Sequence, residues 1–274
     1  MKDIMRAYHN ATIVEKIIYI NVLLFLLTYI FNSFMINWFA LPANLNEFLT
    51  KPWTFISYAF IHERLFHILA NLLILYYVGN LFLNFYTKKQ FLNFYFLGLI
   101  FGALIFLCYH YFTGISGAPL GGASAAVTTV FVGIATKIPR YALRLRFIGS
   151  VELWVLATIW VVLSILQLVN PDKGGPIAHL AGALLGYVYS KQLSMGNDIG
   201  KWFENSIDFF VNLTKPRQKQ NLKTVHRSKR RKSSQDVEKT KQRKIDDILD
   251  KISKSGYESL SQEEKDYLFR AGKK

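Results

Sequence analysis

Cysteine is all but missing from this chain. Cys108 is the only one among 274 residues, so no disulfide can form within the chain and cysteine usage says nothing about redox compartment. Acidic residues are also few, with 18 Asp and Glu against 33 Lys and Arg and a net charge of +15. Glu63 and Asp172 stand too far from other carboxylates to form a paired acid–base site. An HExxH motif is absent, as are Walker and dinucleotide signatures, and neither Cys108 nor His110 has partners at ligand spacing. The sequence calls for no metal and no cofactor.

What is abundant is apolar surface. Hydrophobic residues make up 51% and aromatics 15%, and the mean hydropathy is +0.20. Such a composition sits beside a net charge of +15 only if the two properties occupy different regions. Apolar runs recur as far as Gln192, and Lys and Arg crowd the end. The pattern predicts an all-α membrane protein with six spans near 17–35, 65–86, 90–112, 122–138, 151–169 and 177–193. The first run is too long for a signal-peptide core and lacks a small-x-small cleavage site, so it reads as a retained span. Lys2, Arg6 and Lys16 precede it, Lys88 and Lys89 join spans two and three, and Lys137, Arg140, Arg144 and Arg146 join spans four and five. The positive-inside rule then puts both termini in the cytoplasm, and the expected home is a bacterial cytoplasmic membrane.

The chain divides into a cytoplasmic segment 1–16, a six-span domain 17–193, an interfacial segment 194–214, a basic linker 215–244 and a C-terminal helical motif 245–274. Loop 36–64 is aromatic and reads as lying in the interface. In the segment after the last span, Trp202, Phe203, Ile207, Phe210 and Val211 recur at helical spacing opposite Lys201, Glu204 and Asp208. This predicts an amphipathic helix on the membrane surface. Residues 215–244 carry thirteen basic residues against Asp236 and Glu238, a composition for a disordered linker with anionic lipid as its next candidate partner, ahead of nucleic acid. Beyond them Ile245, Ile248, Leu249 and Ile252 form a stripe, Ser255-Gly256 a stop, and Ser261 with Glu264 a capping box, together a small helical hairpin.

Polar groups inside spans are costly and therefore informative. His67 and Asn71 lie four apart on one face of span two, where a pair of this kind also serves as glue between helices. Ser124 opens span four within Gly121-Gly122-Ala123-Ser124-Ala125-Ala126. A lone intramembrane serine reads first as helix packing, but the glycines permit a turn there, and a helix beginning at Ser124 leaves unpaired N–H groups that suit an oxyanion. His179 begins span six, with Gly182 and Gly186 on its face allowing close approach of a neighbour. If that neighbour is span four, a Ser–His pair results. Glu152, Gln167 and Asn170 read as interfacial, without chemistry.

Taken together, His67…Asn71, Gly122-Ala123-Ser124-Ala125 and Ala178-His179…Gly182…Gly186 resemble the marks of the rhomboid intramembrane serine proteases, over residues 15 to 193. The resemblance implies a six-helix bundle with a Ser124–His179 dyad, Ser124 as nucleophile and His179 as base. It implies His67 and Asn71 as oxyanion donors, His62 as a residue that helps retain water, and Trp53 as an interfacial tryptophan. Single-span membrane proteins, met within the lipid bilayer, are the implied substrates. Three positions depart from the family: Ala125 replaces a glycine, Thr128 stands where a tyrosine stacks on the histidine, and Leu83 stands where many members have a glutamate. The expectation is an intramembrane serine endopeptidase. The alternatives are an inactive rhomboid-like binder of membrane proteins and a small transporter using the same polar residues.

Overall fold

The computed structural model describes residues 6, 9–145, 149–170, 173–214 and 234–272. The chain falls into two units, Met1–Lys215 and Pro216–Lys274. In the first, helix α1 (Ile13–Ile30) is started by a capping box in which Thr12 and Glu15 exchange side-chain and backbone bonds. It therefore begins inside the stretch read as a cytoplasmic segment. The expected first span is interrupted at Phe31, after which α2 (Asn32–Phe39) continues. The aromatic loop that follows contains α3 (Leu45–Thr50), capped by the Asn44 side chain, and α4 (Thr54–Ser57), which runs into a 3-10 turn at Tyr58–Phe60.

Contacts at both ends help to hold this loop in place. Trp53 stacks on Trp38 with ring centroids 6.1 Å apart and donates its indole N–H to Trp38 O at 2.7 Å. Leu41 and Leu120 exchange backbone hydrogen bonds of 2.9 and 2.8 Å, stitching the first loop to the segment that precedes Ser124.

The remaining long elements are α5 (Leu65–Leu83), α6 (Lys88–Thr113), α7 (Ser124–Lys137), α8 (Leu153–Gln167) and α9 (Gly174–Ser194). α6 opens on a Thr87–Gln90 capping box and ends at Gly114, whose φ of 66° closes the helix in the left-handed region. The basic connection after α7 is a β-hairpin, with β1 (Ala142–Leu145) antiparallel to β2 (Gly149–Glu152). Val151 and Glu152, expected to begin span five, belong to β2.

α7 is the hub. It packs against α5, α6, α8 and α9, and every residue from Ser124 to Ala135 is buried. The outer helices show the reverse pattern: Phe66 and Val169 are each 86% exposed, among a belt of outward leucines and isoleucines too broad for a water-soluble surface. Among the described residues three helices, α1, α5 and α6, are long and apolar enough to cross a membrane, and α7 and α8 are shorter apolar helices.

α10 (Lys201–Thr214) follows α9. Its Asp208 pairs with Lys89 at 3.0 Å, and Glu204 accepts from the buried Asn93 side chain at 3.1 Å. The acidic face thus meets the start of α6, and Trp202 and Phe209 are exposed. The carboxylates face the positive end of the α6 dipole, which favours this docking over the reverse.

The second unit holds α11 (Ser234–Ser255), a 3-10 turn Tyr257–Ser259 and α12 (Gln262–Ala271). Among its described residues Ile248 and Leu260 are buried, and Lys251 bonds Glu264 across the hairpin at 2.8 Å. α11 begins well before Ile245, so the last part of the stretch read as linker is helical. The rest of that stretch, 215–233, lies outside the described residues.

Candidate active site

Gly122 determines how the chain enters α7. Its φ is +118°, a region that residues with a Cβ rarely adopt, and a Cβ there would lie 2.7 Å from the His67 ring. Its N–H donates to Tyr58 O at 2.9 Å. Ala123 N–H donates to Nε2 of the buried His62 at 3.3 Å. No side chain caps α7, and the helical ladder starts with Val127 N–H to Ala123 O at 2.9 Å. The N–H groups at its first turn, Ser124 included, are therefore free of helical partners.

Ser124 Oγ lies 2.7 Å from His179 Nε2. The approach is possible because α9 meets α7 backbone to backbone. A Cβ on Gly182 would run into Ala125 O, and one on Gly186 into Thr129 O. Thr129 fastens the contact, its hydroxyl lying 2.9 Å from Ala125 O and 3.0 Å from Gly182 O. The Ser–His pair that the sequence offered as one of two readings is thus present as geometry.

A cavity of about 600 Å³ opens over the pair, with His67, Ser124 and His179 in its wall. Glu63 and Arg64 line its mouth, as do Gln167 and Asn170. The last two were assigned no role from sequence and are brought to the site, whereas Glu152 accepts from the Trp154 indole at 2.6 Å in β2 and takes no part.

One expected residue sits differently. Asn71 is buried and gives its amide N–H to His67 O at 2.9 Å, so its donor is turned into its own helix and not toward the cavity. His62, which the resemblance gives a part in retaining water, accepts the Ala123 N–H at its Nε2. Burial, and next the nearby His67 ring, push the His62 pKa down to about 3, so the imidazole is neutral and able to accept that bond.

The departures from the family pattern have physical answers. Ala125 fits because α6 presents Gly102 to it; a Cβ at that glycine would lie 2.7 Å from the Ala125 methyl. Thr128 receives the Trp160 indole N–H at 2.8 Å, and the Trp160 ring lies beside His179, centroids 5.7 Å apart and tilted by 36°. Ser164 Oγ is 3.4 Å from His179 Nδ1. Leu83 packs on the main core. Trp160 and Ser164 went unnoticed in the sequence, although the spacing of Trp160, Ser164 and Gln167 along one face of α8 was a usable signal.

No group of His, Cys, Asp and Glu able to hold a metal ion occurs among the described residues. Comparison with known proteins agrees with the geometry at the level of family. No curated protein matches the chain. Residues 236–274 match a model described as a family of unknown function, DUF6576, and residues 49–195, more than half of the chain, match the Rhomboid domain. With its membrane-capable helices gathered around a buried serine, the chain belongs to the rhomboid family and is an integral membrane protein.

Proposed function

We propose that the chain is an intramembrane serine endopeptidase acting through Ser124 and His179. Rhomboid proteins are in general serine proteases that act on membrane proteins within the bilayer. The observation that carries the proposal here is the 2.7 Å contact between Ser124 Oγ and His179 Nε2 in the wall of a cavity.

In this reading His179 Nε2 takes the hydroxyl proton as Ser124 Oγ attacks the scissile carbonyl. The oxyanion forms against the Ser124 N–H and the His67 ring, and Asn71 joins them if its amide turns from the helix backbone toward the cavity. His179 then passes the proton to the leaving amine, and water entering by the cavity mouth resolves the acyl-enzyme. The substrate is a single-span protein whose helix opens readily, because a carbonyl still bonded within a helix is hidden from attack. Six crossing segments, with the short α7 enclosed by its neighbours, and cytoplasmic termini belong to the same proposal. So do a bacterial cytoplasmic membrane and contact of the basic stretch 215–244 with anionic lipid.

Labelling by a fluorophosphonate probe in membranes tests the proposal. The parent chain is expected to label, and Ser124→Ala and His179→Ala to lose labelling entirely. His67→Ala is expected to slow cleavage of a reporter span by about a hundredfold to a thousandfold. A parent chain that neither labels nor cleaves, beside an active relative that does both, overturns it.

A further inference from the structure

A dyad has no third residue to aim its base, so something else must fix the His179 ring. We propose that Trp160 is the positioning residue for His179, held in place by Thr128. This inference rests on the protease reading and adds to it the group that orients the base.

If Ser124 Oγ–H donates to Nε2, the proton of neutral His179 resides on Nδ1. The acceptor within reach of Nδ1 is Ser164 Oγ at 3.4 Å, long for a hydrogen bond and weak as an orienting contact. Ser164 itself donates to Trp160 O at 2.9 Å. The edge of the imidazole is therefore loosely held, and its face must supply the restraint. The Trp160 indole lies beside the imidazole, with ring centroids 5.7 Å apart and planes tilted by 36°. An indole can hold a neighbour only if it is itself fixed, and Nε1–H of Trp160 donates at 2.8 Å to Thr128 Oγ1. Thr128 is 1% exposed and lies one turn beyond Ser124 on α7. The same short helix thus carries both the nucleophile and the anchor for the support of its base. Ser124, Thr128, Trp160 and His179 form a closed ring of contacts spanning α7, α8 and α9.

The ring also responds to charge. His179 becomes an imidazolium as it takes the Ser124 proton, and an aromatic face within about 6 Å attracts that charge. Other charged or titratable groups on the cavity wall are His67, Glu63 and Arg64.

The experiment is a set of rate measurements with the fluorophosphonate probe on full-length protein in membranes, with unfolding temperature measured alongside. Thr128→Val keeps the shape and removes the acceptor; Trp160→Phe keeps a ring and removes the donor. Each is expected to slow the maximal labelling rate by about tenfold without weakening probe binding. The double variant is expected to be no slower than either single one. Thr128→Ser, which retains the hydroxyl, is expected to restore the parent rate. A parent-like rate in Thr128→Val, or losses that multiply in the double variant, overturns the positioning role while leaving the protease reading intact. A rate loss that follows the fall in unfolding temperature and is not rescued by Thr128→Ser overturns it equally. A parent chain that never labels overturns both.

Discussion

At the scale of single residues, the site works because small side chains are matched in pairs across helices. Ala125 carries one methyl more than the family glycine, and Gly102 on α6 carries one fewer than any other residue could. Gly102→Ala is expected to cost about 1–3 kcal/mol through overpacking, with Gly102→Ala/Ala125→Gly recovering most of it, as read by thermal unfolding in detergent. His62 gives a prediction of opposite kind. Its folded-state pKa lies near 3, below the ordinary 6.5, so the unfolded chain binds the extra proton between these limits. Its contribution to stability is fully present above about pH 6.5 and is lost as the pH falls toward 3. The unfolding temperature of the parent is therefore expected to drop more between pH 7 and pH 5 than that of His62→Asn, and equal drops would count against it. Ser124, His179 and the two glycines after His179 were legible in the sequence because polar or tiny residues are conspicuous in apolar runs. Trp160 was not, since an indole in a hydrophobic segment looks like any other lipid-facing aromatic until its N–H is seen to end on Thr128. The orientation of the Asn71 amide is a rotamer choice, which spacing does not encode.

At the scale of elements, the helices were legible where capping and periodicity agreed, as at Ser261–Glu264 before α12. They were misread where tertiary contacts decided. Nothing in the apolar run 17–35 announces the break at Phe31, and Thr12–Glu15, which starts α1, lies outside that run. At α10 the sequence left a choice open. Its amphipathic pattern was visible, but a helical wheel does not say which face meets protein. Here the acidic face docks on α6, and Phe203 packs near Phe96 with centroids 6.4 Å apart. The buried member of that docking is Asn93, whose amide serves both Tyr189 OH and Glu204 at 3.1 Å. Asn93→Ala is expected to cost about 1–3 kcal/mol by removing the buried amide donor that those two partners share. Lys89→Ala is expected to leave the unfolding temperature unchanged, because its ion pair with Asp208 is open to solvent. A clear loss in Lys89→Ala beside a parent-like Asn93→Ala would show that the surface pair, and not the buried amide, holds α10.

At the scale of the whole molecule, a cavity with polar side chains in its wall lies within a bundle whose outer helices are apolar. The division of the chain into a membrane unit and a C-terminal unit followed from composition alone. The number of crossings did not, because length and hydropathy single out only three helices. α7 shows why. With Ser124 to Ala135 all buried, its 14 residues reach about 21 Å, short of the roughly 30 Å hydrocarbon layer. During synthesis such a segment meets the translocon with too little greasy length to settle in lipid alone, so its residence depends on helices made before and after it. A nascent chain cut after Lys137 is expected to leave α7 incompletely inserted, and extension through α9 to bring it to full insertion, as followed by glycosylation reporters placed beyond each helix. The nucleophile would then enter its working environment only when the chain that carries its base has been made.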